Sequence, residues 1–332
     1  MWIDPKAEKH VSISIIIEGY NSQQKLGEVS DLVEALIPQA TGVSDVELVL
    51  VGSRTQLEGW LQSRPEQGGF DAVRYVEAPD AHYYELKNLG ARASRGSILA
   101  FLDSDVVPLP GWLQAARQAF TDPAVQAVAG VSLFRSPSGT PRPYSPLLFC
   151  AAAISWGFVV PRGKTAETNA FLSHNFLIRR DLFATYSYRT DLGRTLAGSF
   201  LQKMLQDNDV NIRFVADLRV AHNFDMGWWL AGLHRRFGHE VFLLRRQLPG
   251  YPGSWLRSFR WLEPLLYWPY AVVLDLPRWW RFSGWTGTPF WRRLALVPLV
   301  PFLSLLSRGS EMLGMYATIL RPDFMRDWAG KH

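Results

Sequence analysis

Cysteine is nearly absent from this chain of 332 residues, in which Cys150 is the only one. A single thiol excludes an internal disulfide, so a reducing compartment is the simpler expectation. A secretory signal is also missing: residues 1–10 are polar and carry no apolar segment, and we expect a protein made and kept in the cytosol. Composition excludes a disordered chain, since 48% of the residues are apolar and only 20% are charged.

Long uninterrupted apolar runs are missing too. The most apolar stretches, residues 261–277 and 294–320, contain prolines, and neither has the roughly twenty uninterrupted apolar residues of a confident membrane span. Between them lies Arg278-Trp279-Trp280-Arg281. Because indole rings favour the headgroup level and cations meet anionic lipid, we expect residues 251–332 to form a helical, apolar tail that lies in or dips into a membrane surface. A helical bundle packed on the rest of the chain or on a second subunit is the alternative.

Basic charge is concentrated near the C-terminal end of the sequence. The chain has a net charge of +5, yet residues 245–332 alone hold twelve Lys and Arg against five Asp and Glu. Eight of the 14 tryptophans also follow residue 250. Basic residues interleaved with aromatics occur in nucleic-acid-binding proteins, but this segment is strongly apolar and no known RNA- or DNA-binding motif is present. We therefore expect no nucleic-acid partner.

One short apolar run ends abruptly in two carboxylates, Asp103 and Asp105. Residues 98–102 are too few for a helix and are flanked by Gly96 and Pro108, which predicts a buried strand with both acids at its C-terminal end. In an open α/β sheet, ligands bind at that edge. Two carboxylates one residue apart repel each other unless a cation lies near them, so we predict a divalent metal that in turn holds a diphosphate. Ordinary turn aspartates are the alternative.

The sequence on either side of this acidic pair carries a family resemblance. The strand is preceded by Lys87-Asn88-Leu89-Gly90-Ala91-Arg92-Ala93-Ser94-Arg95-Gly96 and followed by Val106-Val107-Pro108-Leu109-Pro110-Gly111-Trp112-Leu113. This order of a basic residue and Asn, a small-residue helix, Gly, an apolar strand, Asp-x-Asp, Pro and Trp-Leu resembles the core of the family 2 glycosyltransferases. Weaker matches extend the resemblance over residues 11–245.

The resemblance implies a fold and a division of the chain. The fold is α/β, a GT-A-like doubly wound mixed sheet over residues 1–250, followed by the apolar tail. Within it, residues 1–135 would form the nucleotide-binding half and residues 136–250 the acceptor-binding half. A segment rich in Pro, Gly and Ser, residues 136–146, marks the border between the halves.

The resemblance also assigns the first loop to the donor nucleotide. A β-prone run over residues 11–17 leads into Glu18-Gly19-Tyr20-Asn21, whose last two residues match the family's opening. It implies that Tyr20 lies against the nucleotide base and that Asn21 contacts the donor, although packing alone is a second reading of Tyr20. The family's Asp at the end of the second strand is missing, and Glu18 is a candidate substitute.

Four further residues would contact the donor by the same resemblance. Lys87 stands where the family usually has Arg and would meet a phosphate as a point charge, unless it is a solvated helix lysine. Asn88 follows it in the same pattern. His174 or Asn175 would face the transferred sugar. The alternative is that both are only polar residues at the start of a strand.

A late strand ends in His222, as in the family. Its neutral imidazole would complete a metal shell with Asp103 and Asp105, acceptable to Mn²⁺ or, less readily, Mg²⁺. A structural hydrogen bond from His222 to a loop is the alternative. Residues 233–246 resemble the basic helix that follows in the family, and such cations could close over the diphosphate.

The family's catalytic base is missing from its usual place. Aligning the helix at Leu201 with the family puts Ala197 and Gly198 where an acidic pair would open that helix. Asp191 precedes the helix and is our candidate for the base. Three outcomes stay open: the base comes from another position, the enzyme retains anomeric configuration and needs no ordinary base, or the protein binds without catalysing.

These features lead to a functional prediction. The resemblance implies metal-dependent transfer of a sugar from a nucleotide-diphosphate sugar to an acceptor hydroxyl, on a saccharide or lipid-linked acceptor, in polysaccharide or glycolipid synthesis. We expect the cytoplasmic face of the cell membrane as its location and consider a homodimer. The alternatives are a catalytically silent, membrane-attached binding protein and a nucleotidyltransferase, although the first loop is not the Gly-rich, basic loop that a nucleotidyltransferase normally shows.

Overall fold

Nine strands form one mixed β-sheet in the computed structural model, which describes residues 13–20, 29–54, 69–136 and 145–331. The strands are β1 (Ile13–Glu18), β2 (Val46–Gly52), β3 (Ala72–Glu77), β4 (Ile98–Asp103), β5 (Val106–Pro108), β6 (Ala127–Arg135), β7 (Glu167–Thr168), β8 (Asn175–Arg179) and β9 (Ile212–Asn223). Their spatial order is β3-β2-β1-β4-β8-β6-β9-β5, and β7 pairs with β9 beside this path. The first four strands are parallel, whereas β8 is antiparallel to both β4 and β6. The predicted doubly wound mixed sheet is confirmed.

Helices connect the strands and continue past the sheet. Up to residue 250 they are α1 (Val29–Ala40), α2 (Tyr83–Ala93), α3 (Trp112–Ala119), α4 (Pro146–Trp156), α5 (Arg180–Thr185), α6 (Gly193–Asp207) and α7 (Arg235–Gln247). In the tail they are α8 (Glu263–Trp285), α9 (Phe290–Leu296), α10 (Leu299–Leu320) and α11 (Pro322–Lys331). Short helical turns are Gly157–Val159, Thr190–Leu192 and Ser254–Leu262, and a π-helical segment, Trp228–His234, leads directly into α7.

The sheet separates two apolar layers. Successive residues of a strand point to opposite faces, so Ile15 and Ile17 of β1 enter one layer and Ile16 enters the other. Ile15 and Ile17 share their layer with apolar residues of α1 and α3, and Ile16 shares its layer with those of α2 and α4. All six residues of β1 are buried, which fits a central parallel strand covered on both faces.

Strand register brings the acidic residues together at one edge. Glu18, the last residue of β1, pairs with Asp103, the last residue of β4. Three residues after Asp103, β5 begins at Val106, whose register partner in β9 is His222. Parallel strands that end together therefore collect Glu18, Asp103, Asp105 and His222 at the edge where an open α/β sheet binds its ligands.

The tail is helical, as predicted, and it packs against the domain before it. Trp279 and Phe282 of α8 are buried in the same apolar layer as Phe149 of α4. Helix α8 also continues through Pro269 and Pro277, so the prolines that interrupt the apolar run do not end the helix. The boundary at residue 250 stays a prediction, but side chains from both sides of it form one core.

No single helix in the described ranges is long and apolar enough to cross a membrane. Helices α9 and α10 meet the criteria of length and composition only as a pair, and they are bent by 53° where they join.

Helices α7 and α10 approach each other through two glycines. A Cβ at Gly238 of α7 would lie 2.0 Å from the carbonyl oxygen of Glu311, and a Cβ at Gly314 of α10 would lie 2.1 Å from that of Arg235. Both distances are far below van der Waals contact, so only glycine allows the two backbones to come this close. A hydrogen bond accompanies the contact, since His234 Nδ1 lies 2.8 Å from Glu311 Oε1.

We therefore expect Gly314→Ala to lower the melting temperature, because the added methyl group would push α10 away from the Arg235 carbonyl oxygen. Overpacking of a tight contact costs about 1–3 kcal/mol. Gly309→Ala on the same helix is the matched control, since its Cβ would meet nothing closer than Trp268 Nε1 at 3.8 Å. Thermal unfolding of the three proteins is the measurement. Equal melting temperatures for the two variants would contradict the close helix contact.

Candidate active site

A cavity of about 160 Å³ lies beside the C-terminal end of β4. Its walls include Asp103 and Asp105, the imidazoles of His174 and His222, and side chains of helices α6 and α7. The cavity therefore lies between the end of β4, in the predicted nucleotide-binding half, and helices of the predicted acceptor-binding half.

Asp103 is buried and held by two donors. Lys87 Nζ donates a hydrogen bond to Asp103 Oδ1 at 2.6 Å, and the Tyr83 hydroxyl lies 2.8 and 2.7 Å from the two carboxylate oxygens. Burial raises the pKa of Asp103, but the ammonium of Lys87, with smaller contributions from His174 and the hydrogen bonds, outweighs burial and lowers the pKa to about 2. Asp103 is therefore ionised at neutral pH, as a metal ligand must be.

Asp105 lies beside His222, whose Nδ1 is 3.8 Å from Asp105 Oδ1. Burial raises the pKa of Asp105, and the neighbouring imidazole partly opposes this rise. Burial also lowers the pKa of His222, so its ring is neutral near pH 7. The ring stacks on Trp156 with centroids 4.9 Å apart, and its Nε2 is buried without a hydrogen-bond partner. A neutral imidazole whose Nδ1 lies beside a carboxylate suits a divalent cation.

The donor set for a metal is incomplete without substrate. Among residues 13–20, 29–54, 69–136 and 145–331, no three His, Cys, Asp or Glu side chains are arranged to enclose a metal ion. Asp103 is engaged by Lys87 and Tyr83, so Asp105 and His222 are the side chains that fit a cation best. Mg²⁺ sites commonly combine one or two carboxylates with substrate phosphates and water, and this arrangement fits a cation of that kind.

His174 lines the cavity, which is compatible with the predicted contact to the transferred sugar. Its ring stands edge-on to that of His222 with centroids 4.6 Å apart, and its Nε2 is buried without a hydrogen-bond partner. Burial, followed by the neighbouring His222, holds the pKa of His174 well below its usual value. The side chain is therefore a neutral polar group that faces ligand space, and its contact with a sugar stays a prediction.

Asn175, the neighbour of His174, serves the core instead. It is fully buried, its Nδ2 donates to the carbonyl oxygens of Leu218 and Val131 at 2.8 and 3.1 Å, and its Oδ1 accepts from Trp112 Nε1 at 3.0 Å. These bonds tie three parts of the sheet layer together. The Asn175 amide is thus occupied by the protein, and of the two residues predicted to face the sugar it is His174 that lines the cavity.

Lys87 and Asn88 also form hydrogen bonds within the protein. Besides Asp103, Lys87 Nζ donates to the carbonyl oxygen of Ser173 at 3.1 Å, and its side chain is fully buried. Asn88 Nδ2 donates to the Tyr188 carbonyl oxygen at 2.8 Å, and the Tyr188 amide donates back to Asn88 Oδ1. Lys87 is therefore the counter-ion of Asp103, and its contact with a phosphate stays a prediction. Asn88 joins α2 to the segment before α6.

The first loop is described only in part. Glu18 is buried and its Oε2 accepts the backbone N–H of Tyr20 at 2.6 Å, so the carboxylate is directed at its own loop. Burial and the nearby charge of Asp103 raise the pKa of Glu18 well above its usual value. The Tyr20 ring lies 5.1 Å from the guanidinium of Arg194. Asn21 falls outside the described residues, and the base contact of Tyr20 stays a prediction.

Asp191, the candidate base, is not brought to the cavity. Its exposed carboxylate pairs with Arg189, whose hydrogen bond holds the pKa of Asp191 below its usual value. Ala197 and Gly198 stand at the positions where the alignment puts the family's acidic pair. Ala197 is buried, and Gly198 lines the cavity wall. A Cβ at Gly198 would lie 2.5 Å from the Tyr84 hydroxyl, so this wall has no room for a longer side chain.

One acid of the cavity, Glu240, is not among the residues predicted from the sequence. Glu240 of α7 lines the wall together with Arg236, one helical turn earlier. Burial raises the pKa of Glu240 to about 7, and the cations of Arg236 and Arg194 oppose this rise. The available signal was that Glu240 is the only acidic residue in a helix with four arginines, Arg235, Arg236, Arg245 and Arg246.

Comparison with known proteins agrees with this geometry. A model of the glycosyl transferase family 2 matches residues 14–187, more than half of the chain. The chain is 27% identical over 128 residues to glycosyltransferase AglE of Haloferax volcanii, a match that covers 38% of this chain and 41% of AglE. The aligned part thus spans about two fifths of that relative.

A solved structure shares the architecture over nearly the whole chain. It is the mannosyltransferase PcManGT of Pyrobaculum calidifontis in complex with GDP-Man and Mn²⁺, which superposes with a TM-score of 0.53 and 14% identity, covering 95% of this chain and 89% of that one. At this identity the likeness establishes the GT-A-like fold alone. The family model, which matches more than half of the chain, shows that the chain belongs to glycosyl transferase family 2 and is a glycosyltransferase.

Proposed function

We propose that this glycosyltransferase moves a sugar from a nucleotide-diphosphate sugar to an acceptor hydroxyl and needs a divalent cation, Mn²⁺ or Mg²⁺, to do so. The observation that carries the proposal is the pairing of a buried, ionised Asp103 with the Asp105 and His222 pair in one cavity. The mannosyltransferase with the same fold holds GDP-Man and Mn²⁺, which are the ligand classes that this site would accept.

The chemistry of such a transfer lies in the departing diphosphate. A bound cation would stabilise the negative charge that grows on the diphosphate oxygens as the bond to the sugar breaks. Asp105 and His222 would hold that cation, while Lys87 and Tyr83 keep Asp103 ionised and fixed. Arg194 and Arg236, which line the same cavity, supply further positive charge for the diphosphate.

We further propose that the tail rests on an anionic membrane surface, on the cytoplasmic face, where it would meet a lipid-linked or saccharide acceptor of polysaccharide or glycolipid synthesis. Eighteen of the twenty large apolar side chains exposed in the described ranges follow residue 250. On α10 they recur at helical spacing as Phe302, Leu305, Leu306 and Leu313. An exposed apolar surface of this extent is typical of an interaction site.

Charge and neighbouring aromatics favour lipid as the occupant of that surface. Trp255 and Trp261 are more than half exposed and stand beside the exposed arginines Arg257 and Arg260. Trp268 Nε1 of α8 donates to the carbonyl oxygen of Leu305, so the outer faces of α8 and α10 lie side by side. Indole rings and guanidinium groups around an apolar surface match the headgroup layer of an anionic bilayer.

Asp105→Asn tests the metal proposal. We expect it to weaken Mn²⁺-dependent binding of UDP or GDP by at least about 10- to 100-fold, the range that even the loss of an outer partner of a ligand causes. Isothermal titration with and without Mn²⁺ is the measurement, and Asp327→Asn, an exposed acid of α11, is the matched control. Unchanged metal-dependent nucleotide binding in Asp105→Asn would sink the metal proposal.

Lys87→Met tests the role of Lys87 as the counter-ion of Asp103. Removing one member of a buried ion pair leaves the other charge uncompensated and costs about 3–5 kcal/mol. We expect a loss of that order in the free energy of unfolding, measured with urea. Lys203→Met removes an exposed lysine that pairs with Asp207 and should cost less than about 1 kcal/mol. Equal, small losses in both variants would show that Asp103 does not depend on Lys87.

Cosedimentation with lipid vesicles tests the membrane proposal. We expect the protein to bind phosphatidylglycerol vesicles more tightly than phosphatidylcholine vesicles, and less tightly as salt is added. Phe302→Ser combined with Leu313→Ser should weaken binding about 10- to 100-fold, since the two half-exposed side chains together contribute roughly 1.5–3 kcal/mol on transfer. Glu34→Ser on α1 is the control. No vesicle binding, with a concentration-dependent dimer that the double variant dissociates, would assign the surface to a second copy instead.

A further inference from the structure

The wall of the cavity that should carry the catalytic base has no acid. Helix α6 presents Arg194, Gly198, Ser199 and Gln202 to the cavity, at the spacing of one helix face. The Tyr84 hydroxyl already fills the space beside Gly198. A base for the acceptor hydroxyl must therefore come from another wall.

Three carboxylates line the cavity in the described part of the chain: Asp103, Asp105 and Glu240. The first is locked by Lys87 and Tyr83, and the second stands beside His222 where the cation is proposed. Glu240 projects from α7, an element that carries neither of these groups. It is thus the one carboxylate of the three that the donor site does not already use.

The surroundings of Glu240 differ from those of the structural acids. Glu311, by comparison, is buried and takes bonds from Arg308, His234 and Tyr267, which outweigh burial and lower its pKa to about 2. Glu240 has an ion pair with Arg236 at 3.3 Å and keeps 19% of its side chain exposed to the cavity. Its pKa of about 7 is near the pH at which a general base is most effective.

We propose that Glu240 is the base that takes the proton from the acceptor hydroxyl. The inference rests on the proposed sugar transfer. As the acceptor oxygen forms its bond to the anomeric carbon, the bond from that carbon to the diphosphate oxygen breaks. The diphosphate leaves with the electron pair, and the hydroxyl proton moves to a Glu240 carboxylate oxygen. A single displacement of this kind inverts the configuration at the anomeric carbon.

Two other groups compete for this role. His174 has an unpartnered Nε2 in the same cavity, but burial holds its pKa well below the usual value and makes it a weak base. Asp191 is exposed and bonded to Arg189, away from the cavity walls. Substitution of each group separates the three assignments.

Steady-state kinetics of Glu240→Gln test the inference. The probes are UDP-glucose and GDP-mannose as donors with Mn²⁺, and water or octyl glucoside as acceptor, with release of nucleoside diphosphate as the readout. We expect kcat to fall about 10²- to 10⁴-fold, the usual contribution of a positioned base, while KM for the donor and the melting temperature stay within about twofold and a few degrees. Glu240→Asp should recover part of kcat, and Glu34→Gln on α1 is the matched control.

The pH profile separates a base from a merely structural carboxylate. A base must be ionised, so in the wild type kcat falls as pH drops below about 7, by about tenfold per pH unit. The charged and titratable groups that bear on Glu240 are Arg236 on its own helix, Arg194 on α6, Glu311 on α10, Tyr84 on α2 and Tyr251 after α7. The limb at pH 7 should vanish in Glu240→Gln, whereas a limb that arises from His174 or His222 would persist.

Distinct results overturn the inference and the proposed function. A Glu240→Gln variant that keeps the wild-type kcat would exclude Glu240 as the base and leave the proposed sugar transfer intact. So would a loss of kcat of the predicted size in Asp191→Asn or His174→Gln when Glu240→Gln shows none. Retained anomeric configuration in the product of the wild type, read by NMR, would do the same. A wild type that binds neither UDP nor GDP and releases no diphosphate from either donor would overturn the proposed function and the inference with it.

Discussion

The cost of burying negative charge at the end of the parallel strands governs this structure. Glu18 and Asp103 end neighbouring strands in register, and Asp105 follows two residues later, so the fold places three carboxylates at one sheet edge. Desolvation and mutual repulsion both disfavour their ionisation. Lys87 compensates Asp103 directly, and the raised pKa values of Glu18 and Asp105 express what remains uncompensated. A cation that arrives with a diphosphate would relieve this excess of negative charge.

The same constraint shapes the helices behind the cavity. Buried acids of the tail are each matched with arginine: Glu263 with Arg245, and Asp275 with Arg308. Arg308 also donates to the carbonyl oxygen of Ile154 in α4, which connects the tail to the sheet layer. Because removal of one partner would strand a buried charge, these pairs hold the tail in one position relative to the domain before it.

Sequence reasoning found the parts of the site that depend on strand periodicity. The apolar run before Asp103 and the late strand before His222 each predicted a strand that ends at the ligand edge, and both strands lie there. The sheet class followed from the resemblance to the family 2 glycosyltransferases. What the sequence did not reveal is where a polar side chain points once the strands are assembled.

Asn88 and Asn175 show why the sequence does not reveal that direction. Asn88 forms a hydrogen bond with Tyr188, one hundred positions further along the chain, and Asn175 forms one with Trp112. Partners so distant follow from the tertiary fold, which a local motif does not contain. Glu240 was missed for a different reason, because its helix matches the basic helix of the family and holds only one acid. Its proposed role depends on a cavity whose walls come from many elements, among them α2, α6 and α7.

The glycine contact between α7 and α10 sets the distance between the cavity and the exposed apolar side chains of α10. Gly238 lies two residues from Glu240 on α7, and across the contact α10 carries the outward Phe302 and Leu313. Because the two helices are in such close contact, the proposed bilayer beneath α10 would lie at a set distance from the cavity. The protein would then accept a hydroxyl group that is held at one distance from its lipid anchor. Hydroxyl groups held nearer to the anchor or farther from it would not reach the cavity.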